Sequence, residues 1–98
     1  MNRFGLSEPH WQTLERIVFD PLRNANCVSW IFGSRARGDH RPFSDLDVLI
    51  SGSPPPPLLA QIREDLEEST LPIHVDLVLE NELADSYRDS AQRDRVAL

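Results

Sequence analysis

Three aspartates and one glycine–serine pair are the residues of this chain whose types and spacing can do chemistry. Asp45 and Asp47 flank Leu46 at the head of an apolar stretch, Val48-Leu49-Ile50. Read as the start of a strand, this spacing puts both carboxylates on one face, their Cα atoms roughly 6.6 Å apart, and turns Leu46 into the core. Asp76 lies in Val75-Asp76-Leu77, on the face opposite a stripe of Ile73, Val75, Leu77 and Leu79. If the two strands are neighbours, Asp76 becomes a third carboxylate over the same spot. Three uncompensated acids repel, and some must take up protons. A divalent metal removes that conflict, and Mg2+ prefers oxygen ligands, keeps waters and bridges carboxylates to phosphates.

Gly33-Ser34 follows a short strand-like segment. A strand ending in glycine, then serine, then a helical start exposes backbone N–H groups to an anion. Glycine lets a phosphate approach the backbone, and serine adds a hydroxyl. Arg35, Arg37 and Arg41 follow closely in an otherwise acidic chain. Their bland reading is a solvated, salt-bridged loop in which one arginine serves phosphate and the others pair with acids. Phosphate cradle, carboxylates and arginines together describe phosphoryl or nucleotidyl transfer, with two metals about 3.5–4 Å apart clamping the attacking and leaving oxygens. Rival motifs fail on single residues. Gly33 to Gly38 has the glycine spacing of a Walker loop, but Asp39 stands where lysine is required. Asp45-Leu46-Asp47 is followed by Val48, Leu49 and Ile50, not by the polar ligand and glycine of an EF-hand.

The elements that must position these groups are readable. Ser7-Glu8-Pro9 is a helix start, with Trp11, Leu14, Val18 and Leu22 recurring at helical spacing and Pro21 limiting how far it runs. Cys27 to Phe32 reads as a strand, Ser34 to Ser44 as a short helical turn and loop, and Asp45 to Ile50 as a second strand. Pro54 to Pro57 reads as a stiff connector, or as a docking site for a proline-binding module. Leu58 to Ser69 is a helix with Leu59, Ile62 and Leu66 on its apolar face, and Ile73 to Leu79 is a third strand. The tail from Glu80, marked by Leu83, Tyr87, Ala91 and Val96, reads as a last helix. The sum is an α+β fold, a small mixed sheet of three or more strands backed by helices in two layers.

Composition narrows the classes. Ninety-eight residues are expected to form one domain, 1–98, with a modest core. Ten basic residues, all arginine, against sixteen acidic ones give a net charge of −6, which argues against general nucleic-acid binding and excludes lysine nucleophiles. The single cysteine, Cys27, forms no internal bridge, no apolar run approaches the roughly 20 residues of a membrane span, and a cytoplasmic address is the expectation.

The string Gly33-Ser34-Arg35-Ala36-Arg37-Gly38-Asp39, followed by Ser44-Asp45-Leu46-Asp47-Val48-Leu49-Ile50, resembles the minimal nucleotidyltransferase (MNT) branch of the polymerase-β-like nucleotidyltransferases. The match is most specific over residues 30–50, and Asp76 extends it. The resemblance implies that Asp45 and Asp47 hold Mg2+, and that Asp76 binds one metal and activates the acceptor hydroxyl. It implies that Gly33 and Ser34 contact the phosphates of ATP, with Arg37 as a further phosphate contact. It also implies a partner, because many such proteins are antitoxins thought to transfer AMP from ATP to a tyrosine of a HEPN-domain toxin. Larger relatives carry an extra substrate domain, which 98 residues are not expected to accommodate, and an acceptor brought by another protein would fill that gap. Two alternatives stay open: a catalytically silent module that neutralises a partner by masking it, and a transferase acting on RNA or a small molecule. Exposed apolar surface on so small a sheet also leaves self-association open. The remaining polar and aromatic residues read as bystanders: His10 as surface, His40 as loop, His74 as rim of the site, Cys27 as buried, Trp11 and Trp30 as core or interface, Tyr87 as packing.

Overall fold

The computed structural model describes residues 4–38, 41, 44–82 and 95–97. The order of elements is α1 (Glu8–Leu14), a π turn (Glu15–Phe19), α2 (Asp20–Asn24), β1 (Val28–Phe32), α3 (Ser34–Arg37), β2 (Leu46–Ser51), α4 (Pro56–Glu68), β3 (Val75–Leu79), a 3-10 turn (Glu80–Glu82) and β4 (Val96–Ala97). The sheet runs β3-β2-β1-β4. β1 pairs antiparallel with β2 and with β4, and β2 pairs parallel with β3. The mixed sheet with helices is the α+β architecture expected.

Local chemistry explains the helical segment. Ser7 is extended and its Oγ accepts from the His10 N–H at 3.4 Å, capping a first turn that holds Pro9. Pro21 does not end the helix, contrary to expectation. In a regular α-helix its ring would crowd the carbonyl four residues back. The chain widens over Glu15–Phe19, where the Asp20 N–H reaches the Glu15 carbonyl five residues back, and the helix continues to Asn24. Asn26, at φ 61°, then reverses the chain. Its N–H donates to the Arg23 carbonyl at 3.0 Å and the Cys27 N–H to the Leu22 carbonyl at 2.9 Å, a Schellman closure that delivers the chain into β1.

The prolines are not a free-standing stretch. Pro54 is buried, and Pro56 and Pro57 form the first turn of α4, where a missing N–H costs nothing. The helix therefore starts two residues before its first leucine.

One face of the sheet carries Ile31, Leu46, Val48, Ile50 and Val75, all buried against Leu14, Val18, Leu22, Leu59 and Ile62 of the helices. Phe4 and Trp11 stack at 5.5 Å between ring centroids, and Trp11 meets Phe19 at 5.2 Å, closing one end of this core. The opposite face is not wholly polar, because Leu49 there is fully buried.

The described end of the tail is a strand, where the sequence pattern extends a helix as far as Val96. Leu83, Tyr87 and Ala91 lie outside the described residues, as does His40, but Val96 is in a strand, paired opposite Ile31. A polar chain pins this segment. Trp30 Nε1 donates to Ser51 Oγ at 3.0 Å, Ser51 Oγ donates to Glu80, and Arg95 pairs with Glu80 at 3.4 Å while its guanidinium lies 4.1 Å over the Trp30 ring. β-Branched Val96 suits that edge position better than a helix.

The loop arginines also divide. Arg35 is not solvated: it is 1 % exposed. Its Nε and Nη2 donate to the Ser44 carbonyl at 3.1 and 3.0 Å, and its Nη1 to the Phe4 carbonyl at 2.8 Å. Burial lowers its pKa, yet the planar fork is matched to carbonyl acceptors. Arg35→Met, which keeps the stem and removes the donors, is expected to lower unfolding free energy by about 2–4 kcal/mol, measured by urea titration. A loss under about 0.5 kcal/mol would show the guanidinium to be dispensable.

Candidate functional site

The site is built where three strands meet in register. Phe32 of β1 stands opposite Asp47 of β2, and Asp47 stands opposite Asp76 of β3. Side chains paired directly across a sheet point to one face, so the two carboxylates are immediate neighbours at the strand spacing of about 4.8 Å. Asp45 is exposed and directly precedes Leu46, the first residue of β2. The structure thus brings Asp76, remote in the chain, beside Asp47, while Asp45, read as the first residue of the strand, lies just before β2 and reaches Asp47 electrostatically. Leu46 is fully buried on the other face.

Gly33 sits directly against this row. Its backbone is at φ 75° and ψ −155°, a region that residues with a side chain rarely enter. A Cβ at that position would lie 2.4 Å from Asp47 Oδ2. The positive φ demands glycine here, and an added Cβ would push the Asp47 carboxylate aside. The chain then makes the single turn of α3, in which the Arg37 N–H donates to the Gly33 carbonyl at 3.1 Å and the Gly38 N–H to the Ser34 carbonyl at 2.9 Å. Ser34 is half-buried beside Gly33, and Arg37 is exposed.

Electrostatics marks Asp47 as the centre. Burial first, then the Asp76 and Asp45 carboxylates, raise its pKa above the ordinary aspartate range, while Arg37 and His74 pull it down. Two residues not assigned a strong role by spacing, Arg37 and His74, are therefore within electrostatic reach of the same carboxylate. His74 is exposed, shares the Asp76 side of β3, and its carbonyl accepts from the Leu46 N–H at 3.0 Å, fixing the β2–β3 register at its first rung.

The carboxylates share a face without converging. Among the described residues no three His, Cys, Asp or Glu side chains gather closely enough to hold a metal ion. Like charges on exposed, rotatable side chains rest apart. The donor set nonetheless fits a hard dication: Asp47 lies directly across from Asp76, packs against the Gly33 backbone, and is destabilised as an anion by burial and by the Asp76 and Asp45 carboxylates.

Sequence reasoning missed what surrounds the site. A cleft of about 390 Å3 runs between the C-terminal half of α4 and β3, with Arg63, Leu66, Glu67, Leu71, His74 and Asp76 in its walls. It depends on how α4 is set against the sheet, and no local motif reports that.

Two outcomes test this geometry. Gly33→Ala is expected to destabilise the fold or displace Asp47, lowering Mg2+-dependent nucleotide binding at least tenfold in a titration; wild-type binding would refute the close approach. A carboxyl whose pKa is raised by folding stabilises the native state below its unfolded pKa and loses that contribution as pH rises through the folded one. Asp47→Asn is therefore expected to raise the melting midpoint at pH 7 without metal, with the advantage vanishing below pH about 4. Adding Mg2+ should reverse the order, stabilising the wild type only.

Comparison with known proteins agrees with this layout. The sequence model of the family described as Nucleotidyltransferase domain matches residues 22–98. A protein of Haemophilus influenzae named Probable protein adenylyltransferase MntA is 43% identical over 51 residues, which are 50% of this chain and 45% of that protein. The chain thus spans about half the length of that curated relative. A solved structure described as a candidate minimal nucleotidyltransferase is 28% identical and superposes with a TM-score of 0.70, covering 95% of this chain and 97% of its own. A chain from a crystal structure of a toxin-antitoxin with AMP-PNP is 18% identical, with a TM-score of 0.63 over 85% of this chain and 70% of that one, a likeness of fold.

Proposed function

This chain belongs to the nucleotidyltransferase domain family, and from that premise we propose that it transfers AMP from ATP, with Mg2+, to a hydroxyl of a partner protein, a tyrosine of a HEPN-domain toxin, and so acts as its antitoxin. The observation that carries the proposal is the Asp47–Asp76 register with Gly33 packed on Asp47. The naming of the Haemophilus influenzae relative as a protein adenylyltransferase supports the choice of AMP and of a protein acceptor.

In this reading Asp45, Asp47 and Asp76 would hold two Mg2+ ions, which would supply charge neutralisation at the phosphates. Gly33 and Ser34 present a backbone and a hydroxyl to the triphosphate, and Arg37 faces its charge from α3. Asp76, exposed at the outer strand, takes the acceptor proton. The acceptor oxygen forms a bond to the α-phosphorus, the bond from that phosphorus to the bridging oxygen breaks, and pyrophosphate leaves with the electron pair. The closest approach of the backbone at Gly33 serves positioning, because a near-attack geometry is worth more than any single contact.

The test uses labelled ATP, Mg2+ and purified toxin. Asp45→Asn with Asp47→Asn is expected to reduce AMP transfer at least 1,000-fold while retaining a cooperative melt. Full transfer by that double variant would remove the mechanism. If the inactive variant still silences the toxin at stoichiometric ratio, neutralisation is by masking. Label appearing on RNA or a small molecule instead would reassign the acceptor.

A further inference from the structure

The cleft beside Asp76 has a feature that the transfer chemistry alone does not require. β3 is the edge strand of the sheet, and among the described residues no strand pairs with its outer side. The Leu46 N–H donates to the His74 carbonyl, and Leu46 is registered on Val75. In a parallel ladder this means that His74 and Asp76 direct their backbone groups to β2, so alternation turns those of Val75 and Leu77 outward. Both outward-turned residues line the cleft. An exposed strand edge is a template for another strand, and a gap of about 390 Å3 between it and α4 leaves room for one.

We propose that this edge receives an extended segment of the acceptor protein as an added strand, with the residue to be modified opposite Asp76. This rests on the reading that the acceptor is a protein hydroxyl. A strand hydrogen-bonded to Val75 and Leu77 places its intervening residue across from Asp76, on the same face, with Cβ atoms about 4.5–5.5 Å apart. That residue carries the hydroxyl. Its two neighbours face the opposite way, toward Leu66 and Leu71 in the cleft, and are apolar. The charge of the rim completes the description. Glu67 and Asp76 line the cleft against Arg63, so its lining is acidic by one charge. The segment therefore carries a basic residue on its α4 side. The occupant has a defined pattern: apolar, hydroxyl, apolar, with an adjacent arginine or lysine. Backbone pairing supplies affinity in this mode, and the pockets beneath alternate side chains supply choice.

The experiment compares the wild type with Leu71→Arg and Glu67→Arg, neither of which touches the three aspartates. Purified HEPN-domain toxin is titrated calorimetrically, Mg2+–ATP binding is followed with a fluorescent ATP analogue, and amide exchange is measured at Val75 and Leu77. Each variant is expected to weaken toxin binding at least tenfold and to raise the toxin concentration for half-maximal AMP transfer by the same factor, with nucleotide affinity within twofold of wild type. In the wild type, toxin is expected to slow exchange at Val75 and Leu77 at least tenfold. Unchanged toxin binding in both variants, absent protection at these two amides, or no toxin binding by the wild type overturns the docking edge. Toxin binding that both variants lose, in a wild type that transfers no AMP, supports the edge and removes the transfer reading instead.

Discussion

The β2–β3 register sets two carboxylates side by side in a sheet, and the rest of the molecule is arranged to keep them there. Like charges directly opposite one another destabilise a strand pair. At a separation near 4 Å in solvent that repulsion is about 1 kcal/mol. Against it stand Leu46, Val48 and Ile50, each fully buried on the reverse face. Burying one such side chain is worth about 1.5–3 kcal/mol, so three of them dominate. A slip of one residue would turn all three outward. The apolar face holds the register, and the register holds Asp47 against Asp76.

A second consequence concerns the backbone next to that pair. Gly33 can occupy its conformation only if the chain is guided into and out of it. The Schellman turn at Asn26 aims β1 from one side. From the other side Arg35 draws the Ser44 and Phe4 carbonyls together, so the segment that returns to Asp45 is anchored by a buried cation. Arg35, read from the sequence as part of a solvated loop, is a buried strut, whereas Arg37, the arginine that the resemblance assigns to phosphate, acts electrostatically on Asp47. Spacing could not separate the two, because the division depends on which side of a one-turn helix meets the N-terminal segment.

The parts of the fold that were legible are those set by local chemistry. The capping Ser7, the alternation from Val75 to Leu79 and the stop at Gly33 each act within a few residues, and each stands where the pattern puts it. The aspartate trio was legible because alternation fixes a face before any tertiary contact is known. What escaped was set by distant partners. Pro21 is tolerated through a widened turn that no propensity predicts. Val96 becomes an edge strand because Ile31 offers it a partner and the Trp30–Ser51–Glu80–Arg95 chain secures it. The cleft depends on the distance between α4 and an edge strand, a quantity absent from any window of residues.

Topology explains why the two aspartates sit so early in their strands. Asp47 is the second residue of β2, and Asp76 the second of β3. In a hairpin, two such positions would lie at opposite ends of the pair. Only a parallel pair brings them together, and a parallel pair needs a crossover too long for a turn. Residues 52–74, with α4 at their centre, are that crossover. The helix that makes the carboxylates neighbours must also pass alongside β3, the strand that its own connection leaves at the sheet edge. Site and cleft therefore arise from one connection: the crossover that aligns Asp76 with Asp47 also forms the wall through which an acceptor would reach them.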